Sequence, residues 1–246
     1  MSNFEKIYAN CYDLIHANKD YAQEALKLHE FIDSKFLNQE DCNVLDFGCG
    51  TGEHLNALAK RNLSLHGYDM NENMISIARN KFQSLHFQSD LAELNCDYNL
   101  IYSLFDVVSY QDTDEKVASF FSDVASKLMQ GGYFICDGWN LPGVRLDPPV
   151  LSERSFLIDK SEVLRRVEPS TNNNYCVTRL AISLVKADTG EVMTSEEHYL
   201  RAFAIEELAR IAKEEGFSEI RFQKSDNWSD ELEPSSWRFV MFARKE

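Results

Sequence analysis

The pattern of apolar and polar residues divides the chain into a helical start, an alternating α/β region and a β-rich region. Apolar residues at helical spacing predict helices within 7–37, with a break at 18–20. Short apolar runs then alternate with amphipathic stretches, and each run ends in polar turn residues. This alternation predicts parallel βαβ units, with strands at 44–47, 63–68, 85–88, 98–104 and 133–136 and with helices that include 53–61 and 112–129.

The pattern changes after the fifth predicted strand. Pro142, Pro148 and Pro149 predict a linker, and alternating residues after it are typical of an antiparallel sheet with one exposed face. We expect its strands at 155–158, 163–167, 175–185 and 192–203, followed by a helix at 205–215 and strands at 217–223 and 237–243. The predicted units are a helical cover with an α/β core in 1–141, an inserted antiparallel sheet in 142–202, and a closing helix and hairpin in 203–246.

The most informative local pattern is Asp46-Phe47-Gly48-Cys49-Gly50-Thr51-Gly52-Glu53. It reads as the end of a strand, a tight turn and the start of a helix, because glycine permits positive φ and carries no Cβ. A loop of this kind lets a cofactor lie against the main chain near the electropositive start of a helix. The dinucleotide fingerprint Gly-x-Gly-x-x-Gly requires glycine where Glu53 stands, which disfavours a standard NAD site.

This stretch resembles motif I of the class I S-adenosylmethionine-dependent methyltransferases, in which an acid lies two residues before a Gly-x-Gly-x-Gly turn. The segments around Tyr12 and Tyr21 resemble the N-terminal cover of small-molecule methyltransferases, including the sugar N-methyltransferases. The last two predicted strands resemble the closing hairpin of the same class. The resemblance implies a Rossmann-like α/β fold with a helical cover and an inserted antiparallel β-sheet, S-adenosylmethionine as cofactor, and tyrosines that close over the ligands.

Acids and turn residues follow the predicted strands, and in an open parallel sheet ligands bind beyond the carboxyl ends of the strands. Asp69 lies 19 residues after Gly50, a separation suited to accepting hydrogen bonds from ribose hydroxyls. The alternative for Asp69 is a helix cap, although Asn71 can fill that role. By the resemblance, Asp90 and Leu91 bind adenine, although an isolated acid there is also a common turn residue. The predicted cofactor-binding set is Tyr12, Tyr21, Asp46, Gly48, Gly50, Asp69, Met70, Asp90, Leu91 and Leu104.

Candidate acceptor residues lie after the fourth and fifth predicted strands and in the inserted sheet. Asp106 and Tyr110 are candidates for accepting or positioning the acceptor proton, with a helix cap as the alternative for Asp106. His198 is a candidate general base or substrate contact, but an exposed strand histidine is the interpretation that the sequence favours. Trp139 and Arg145 are candidate substrate contacts, with core packing and a solvated charge as their alternatives.

Composition and missing motifs limit the kinds of partner, metal site and location that we expect for the protein. The chain has 246 residues and a formal net charge of −15, which disfavours a nucleic-acid partner. The segment 104–107 also lacks the Asn/Asp-Pro-Pro-Tyr/Phe motif of amino-methylating relatives that act on nucleic acids. None of the six cysteines forms a Cys-x-x-Cys pair, so we expect reduced thiols and no metal site. Without a signal-peptide pattern or a membrane-length apolar run, we expect a cytoplasmic protein with no membrane partner.

The sequence therefore predicts an S-adenosylmethionine-dependent methyltransferase that acts on an amine or hydroxyl of a small molecule, with a nucleotide-linked sugar as the first candidate. Two alternatives stay open at this point: a non-catalytic S-adenosylmethionine-binding regulatory or partner protein, and an NAD-dependent oxidoreductase. A homodimer is one candidate for the oligomeric state, which the sequence does not determine.

Overall fold

The computed structural model describes residues 4–36, 42–59, 63–95, 97–171 and 176–246. Its α-helices are α1 (Lys6–Ile15), α2 (Tyr21–Phe36), α3 (Glu53–Leu58), α4 (Glu72–Lys81), α5 (Asp114–Lys127), α6 (Leu141–Leu146) and α7 (Ile205–Glu214). Short 3₁₀ turns occupy Leu91–Glu93 and Val107–Tyr110. Its strands are β1 (Asn43–Phe47), β2 (Ser64–Tyr68), β3 (His86–Gln88), β4 (Tyr98–Ser103), β5 (Leu128–Asn140), β6 (Ser152–Ile158), β7 (Ser161–Thr171), β8 (Val177–Lys186), β9 (Val192–Phe203), β10 (Phe217–Lys224) and β11 (Arg238–Lys245).

The strands form one mixed sheet in which β3, β2, β1, β4 and β5 are neighbours in that order and run parallel. One edge of β5 is paired with the antiparallel β11, which in turn pairs with β10. On the other edge, β5 pairs first with β4 and then, beyond the end of β4, with β9. Trp139 of β5 shows this, because it lies between Arg238 of β11 on one edge and Ala202 of β9 on the other. The strand order reverses between β1 and β4, so the carboxyl ends of these two strands flank the crevice where such sheets bind ligands.

Helices cover both faces of the parallel strands, as the predicted βαβ units require. On one face, Phe120, Phe121 and Val124 recur at helical spacing in α5 and pack with Ile101 and other strand residues. On the opposite face, α2, α3 and α4 bury a second cluster around Val44. These two clusters hold the parallel strands rigidly, which fixes the positions of the residues at their carboxyl ends.

The antiparallel strands β6 to β9 extend the sheet beyond β5. Helix α1 lies across them, because Tyr8 and Cys11 on one side of the helix pack with Val163, Val167 and Ile182. The N-terminal cover therefore rests on the inserted strands as well as on the cofactor side of the core.

Two predicted boundaries were wrong. The helix predicted over 112–129, with the glycine pair 131–132 as its stop, ends at Lys127, and both glycines lie within β5. Gly131 has a φ of +75°, and the pairing of β4 with β5 shifts register at this point, so the glycines serve an irregular strand start. The predicted linker contains α6, whose Pro142 lies in the first turn, where a missing N–H costs no hydrogen bond.

Several predictions fall partly outside the described residues, namely Cys96 and the element boundaries at Leu37, Arg61 and Tyr175. Within the described part of the chain, no helix combines the length and the apolar character needed to cross a membrane.

Candidate functional site

The glycine loop between β1 and α3 presents bare main chain at one position. Gly48, Gly50 and Gly52 have φ values of +88°, +53° and +84°. A Cβ at Gly48 would lie 2.8 Å from Val107, and one at Gly52 would lie 2.8 Å from Phe87, so packing requires glycine at both. A Cβ at Gly50 would meet nothing within 4 Å. Gly50 thus faces open space, and a ligand can approach its backbone closely.

Asp69 connects this loop to the end of β2. Its Oδ2 accepts a hydrogen bond from the backbone N–H of Gly50 at 2.9 Å, and its Oδ1 accepts from that of Asn71 at 2.9 Å. Burial raises the pKa of the Asp69 carboxyl, and these two N–H groups act in the opposite direction. The cap of α4 is Asn71, whose side chain accepts from Asn73 and Met74, so the capping alternative for Asp69 is not what the structure contains. Each carboxyl oxygen keeps a lone pair that can accept from a ligand hydroxyl.

Asp46 lies beneath the loop and is only 1% exposed. Burial, together with the charges of Asp69 and Glu24, raises the pKa of the Asp46 carboxyl to about 8, and the Tyr102 hydroxyl acts in the opposite direction. Among the described residues, its Oδ2 has no hydrogen-bond partner. A buried carboxyl oxygen without a partner fits a ligand that brings a cation or a donor. With the open face of Gly50 and the acid at the end of β2, it fits the cofactor that the motif implies, S-adenosylmethionine.

The remaining predicted cofactor residues follow the carboxyl ends of β2, β3 and β4. Met70 is 85% exposed beside Asp69, and Leu104 is buried at the end of β4. Asp90 is exposed, and its carboxylate accepts from the N–H of Ala92 at 2.9 Å, which caps the 3₁₀ turn that contains Leu91. Asp90 is therefore a turn residue in the protein alone, and its contact with adenine stays a prediction.

The helical cover is bonded directly to the glycine loop. Asp13 of α1 accepts from the Thr51 hydroxyl at 2.5 Å and forms an ion pair with Lys81 at 2.5 Å. Lys81 also pairs with Glu53 at 2.5 Å. The ring of Tyr21 packs edge-on against His54 of α3, with a centroid separation of 4.7 Å. The structure thus brings Tyr21 to the loop, and α1 is held over the same region.

Tyr110 and His198, predicted separately, are brought together. The Tyr110 hydroxyl lies 2.9 Å from Nδ1 of His198, and Nε2 of His198 lies 3.0 Å from Oε2 of Glu196. Because a carboxylate only accepts hydrogen bonds, the proton of the neutral imidazole is assigned to Nε2 and Nδ1 accepts from Tyr110. Glu196 also accepts from the backbone N–H groups of Phe4 and Glu5 at 2.9 and 2.7 Å.

The expectation that His198 is an exposed strand histidine was wrong, since its exposed fraction is 1%. Glu196, His198 and Leu200 alternate on the face of β9 that is buried. The N-terminal segment covers them there, with the ring of Phe4 edge-on to the imidazole at 5.0 Å. Sequence reasoning did not single out Glu196, although its position two residues before His198 on a strand places both on one face.

Phe4 and Tyr12 link the two halves of this region. The ring of Phe4 contacts Tyr12 at 5.8 Å and Tyr110 at 6.0 Å between centroids. The carbonyl oxygen of Phe4 accepts from the Asn71 and Asn73 side chains, which follow Asp69. The start of the chain therefore spans from the end of β2 to the Tyr110–His198 pair.

Asp106 contacts Arg238 and Asp137 rather than the Tyr110–His198 pair. Its Oδ2 pairs with Nη2 of Arg238 at 2.5 Å, and its backbone N–H donates to Oδ1 of Asp137 at 2.8 Å. Asp106 precedes a 3₁₀ turn, but its side chain makes no capping hydrogen bond there. Burial and the Asp106 charge raise the pKa of Asp137 to about 7, and Arg238 acts in the opposite direction. Sequence reasoning missed Arg238, which lies 132 positions after Asp106.

Trp139 packs in the core, as its alternative describes, and Arg145 lies at the surface. Trp139 is buried, and its ring lies 4.6 Å from that of Trp237 between centroids. Arg145 lies exposed on α6. Their roles as substrate contacts stay predictions. Among the described residues, no group of three or more His, Cys, Asp or Glu side chains could hold a metal ion.

Sequence comparison with known proteins finds methyltransferases, the class that the glycine loop and its acids indicate. Residues 44–132 match the family model described as a methyltransferase domain. A curated relative, the dTDP-3-amino-3,4,6-trideoxy-alpha-D-glucopyranose N,N-dimethyltransferase of Streptomyces venezuelae, is 27% identical over 208 residues, which cover 81% of this chain and 85% of the relative.

Solved structures share the fold over nearly the whole chain. An S-adenosylmethionine-dependent methyltransferase from Clostridium acetobutylicum superposes with a TM-score of 0.77 at 24% identity, covering 97% of this chain and 98% of the other. The sugar N-methyltransferase KedS8 from Streptoalloteichus superposes with a TM-score of 0.77 at 23% identity, covering 96% and 93%. At these identities, the likeness to both structures demonstrates a common fold.

Proposed function

We propose that this chain is a class I S-adenosylmethionine-dependent methyltransferase that methylates the amine of a nucleotide-linked amino sugar. The relative from Streptomyces venezuelae is named for a dTDP-linked amino sugar, and the match covers most of both chains. The observation that carries the proposal is the hydrogen-bonded chain Tyr110–His198–Glu196, which lies under the same cover as the glycine loop.

We assign the cofactor to the carboxyl ends of β1, β2 and β3. When bound, S-adenosylmethionine supplies a methyl group on a cationic sulfur. Asp69 accepts from the ribose hydroxyls through its free lone pairs. Asp90 and Leu91 bind adenine, beside which Met70 packs. Gly48, Gly50 and Asp46 contact the methionine portion, Leu104 lines the methyl side, and Tyr12 and Tyr21 close over the ligand.

The amine substrate explains the Tyr110–His198–Glu196 chain. An alkylammonium has no lone pair, so it must lose a proton before its nitrogen can attack the methyl carbon. The oxygen of Tyr110 accepts that proton while the Tyr110 hydroxyl proton passes to Nδ1 of His198. The Glu196 carboxylate then faces the imidazolium that forms and stabilises it, in the manner of the acid in a catalytic triad.

Most of the remaining acceleration comes from position. In-line displacement requires the amine nitrogen close to the methyl carbon, and holding two reactants in that geometry removes much of the entropic barrier. The core supplies Tyr110 and the inserted sheet, 142–202, supplies His198, so we propose that the acceptor lies between these two units. The boundaries of the three units, a cytoplasmic location and a homodimer stay predictions.

The test compares two acceptors that differ at one atom. A nucleotide-linked amino sugar and the same sugar with a hydroxyl in place of the amine are each mixed with S-adenosylmethionine, and release of S-adenosylhomocysteine is followed. We expect acceptor-dependent release with the amino sugar and little with the hydroxyl sugar. Tight cofactor binding without release for either acceptor contradicts the proposal and favours the non-catalytic alternative.

A further inference from the structure

Two arginines lie directly opposite each other on neighbouring strands. In the antiparallel pairing of β6 with β7, Arg154 is the partner of Arg165. Like charges in such cross-strand positions repel each other and destabilise a sheet. The adjacent arginine of β7 avoids this cost, since Arg166 pairs with Glu153 at 2.5 Å. Within the described residues, neither Arg154 nor Arg165 forms an ion pair with a carboxylate, which is unusual for a chain with a net charge of −15.

This arginine pair faces the ligand side of the inserted sheet. Arg165 lies between Val163 and Val167, whose side chains are buried against α1, so all three share one face of β7. The Nε of Arg165 donates to the Tyr8 hydroxyl at 3.2 Å. The ring of Tyr8 lies 5.8 Å from that of His198 between centroids. The side chain of Tyr8 therefore lies between the Arg165 guanidinium and His198, one of the residues assigned to the acceptor.

The charges of both arginines act on the same neighbour. Burial and the charges of Arg165, Lys19 and Arg154 lower the pKa of His16 to about 4, and the Asp13 charge acts in the opposite direction. The nearest acids already have partners. Asp13 pairs with Lys81 and accepts from Thr51, and Glu196 accepts hydrogen bonds from His198 and two backbone N–H groups. An anion between Arg154 and Arg165 would remove the repulsion between them.

We propose that Arg154 and Arg165, together with the Tyr8 hydroxyl, bind the diphosphate of the acceptor. This assignment rests on the proposed function, because it is the nucleotide-linked sugar that carries a diphosphate. The planar guanidinium presents paired N–H donors that match two phosphate oxygens, and the Tyr8 hydroxyl adds a donor on the side of His198. The sugar then extends from the diphosphate toward Tyr110 and His198.

The experiment measures binding without turnover. The full-length protein, saturated with S-adenosylhomocysteine, is titrated calorimetrically with thymidine diphosphate, inorganic pyrophosphate and thymidine. The variants are Arg165→Gln, Arg154→Gln and the matched control Arg166→Gln, which removes the same charge from the neighbouring position on the opposite face of β7. Affinity for S-adenosylhomocysteine verifies that each variant is folded, and Arg165→Lys keeps the charge without the planar fork.

We expect Arg165→Gln to weaken thymidine diphosphate binding by about tenfold to a hundredfold, and Arg154→Gln to weaken it less, while Arg166→Gln leaves it unchanged. Pyrophosphate should compete with thymidine diphosphate, and Arg165→Lys should restore part of the affinity. Equal losses in Arg165→Gln and Arg166→Gln would overturn the site, because a general field would then explain the binding. Equal affinities of thymidine and thymidine diphosphate would overturn it as well.

The two proposals can fail separately. If the wild-type protein binds thymidine diphosphate through Arg165 but methylates no amino sugar, the diphosphate site stands and the proposed acceptor is wrong. If the protein methylates the amino sugar and Arg165→Gln binds thymidine diphosphate as tightly as the wild type, the proposed function stands and this site is wrong.

Discussion

At the residue scale, Asp69 does two jobs at one carboxyl group. It fixes the glycine loop through the N–H of Gly50. In the proposed function, its remaining lone pairs accept from the ribose hydroxyls. Replacing Asp69 with Asn removes the charge and turns one acceptor into a donor. We expect Asp69→Asn to weaken S-adenosylhomocysteine binding by about tenfold to a hundredfold in calorimetric titration. Glu72→Gln, at an exposed acid on α4, is the control, and equal affinities in both variants would remove the ribose assignment from Asp69.

Asp46 makes a residue-scale prediction about pH. Its pKa is raised from 3.8 to about 8 in the folded protein, so the folded state holds this proton more tightly than the unfolded state. The resulting stability is fully present below about pH 4 and is lost as the pH rises to about 8. Asn cannot ionise, so Asp46→Asn should exceed the wild type in free energy of unfolding by about 2–4 kcal/mol at about pH 9, and by much less at about pH 5.

Urea denaturation of the ligand-free protein at the two pH values measures this difference. Asp137 also has a raised pKa, but it is present in both proteins and cancels in the comparison. A difference between Asp46→Asn and the wild type that does not change with pH would show that the carboxyl is not protonated by burial.

At the element scale, α1 is a cover held at both ends. Asp13 ties its C-terminal half to Thr51 and Lys81, and Glu196 ties the residues before it to β9. Asp13→Ala removes the first tie, so we expect faster hydrogen exchange along Lys6–Ile15 with little change in the core strands. Because the ion pair is partly exposed, the free energy of unfolding should fall by only about 1 kcal/mol or less. Asp112→Ala, which breaks a surface ion pair between Asp112, just before α5, and Lys116, is the control.

The elements also show what could be predicted from sequence. The predicted ranges of β1, β2 and β4 agree with the structure to within one residue, and β4 has the nearly continuous apolar run that is typical of a buried parallel strand. The start of β5 was not, because the glycine pair 131–132 is a common helix stop and nothing local indicates an irregular strand. The short helix α6 was not predicted. Its proline is typical of a linker, and it indicates the first turn of a helix only once β5 is known to end at Asn140.

At the scale of the whole molecule, the candidate site joins segments that are distant in sequence. Tyr110 and His198 are 88 positions apart, and only the pairing of β9 beside β5 brings them together. Sequence could name each residue from its type and neighbourhood, but not their contact, since the register of the inserted sheet decides which face of β9 is buried. The ion pair between Asp106 and Arg238 could not be predicted either, because it depends on the pairing of β11 with β5.

The assembled chain makes a prediction about catalysis. Tyr110→Phe and His198→Gln should each lower kcat by about a hundredfold, while the affinity for S-adenosylhomocysteine stays unchanged. Because these variants depend on the fraction of acceptor already present as free amine, their rates should rise more steeply with pH than that of the wild type. Tyr199→Phe, at the next position of β9 on the opposite face, should behave as the wild type. A parallel loss of cofactor affinity would instead indicate a structural role.

The most direct measurement follows the methyl group itself. The protein is mixed with S-adenosylmethionine that carries an isotopically labelled methyl group and with a nucleotide-linked amino sugar, and the product is examined by NMR spectroscopy. The account predicts a labelled N-methyl signal on the sugar that grows in step with S-adenosylhomocysteine. A labelled methyl group on oxygen, or unchanged sugar in the presence of bound cofactor, would contradict it.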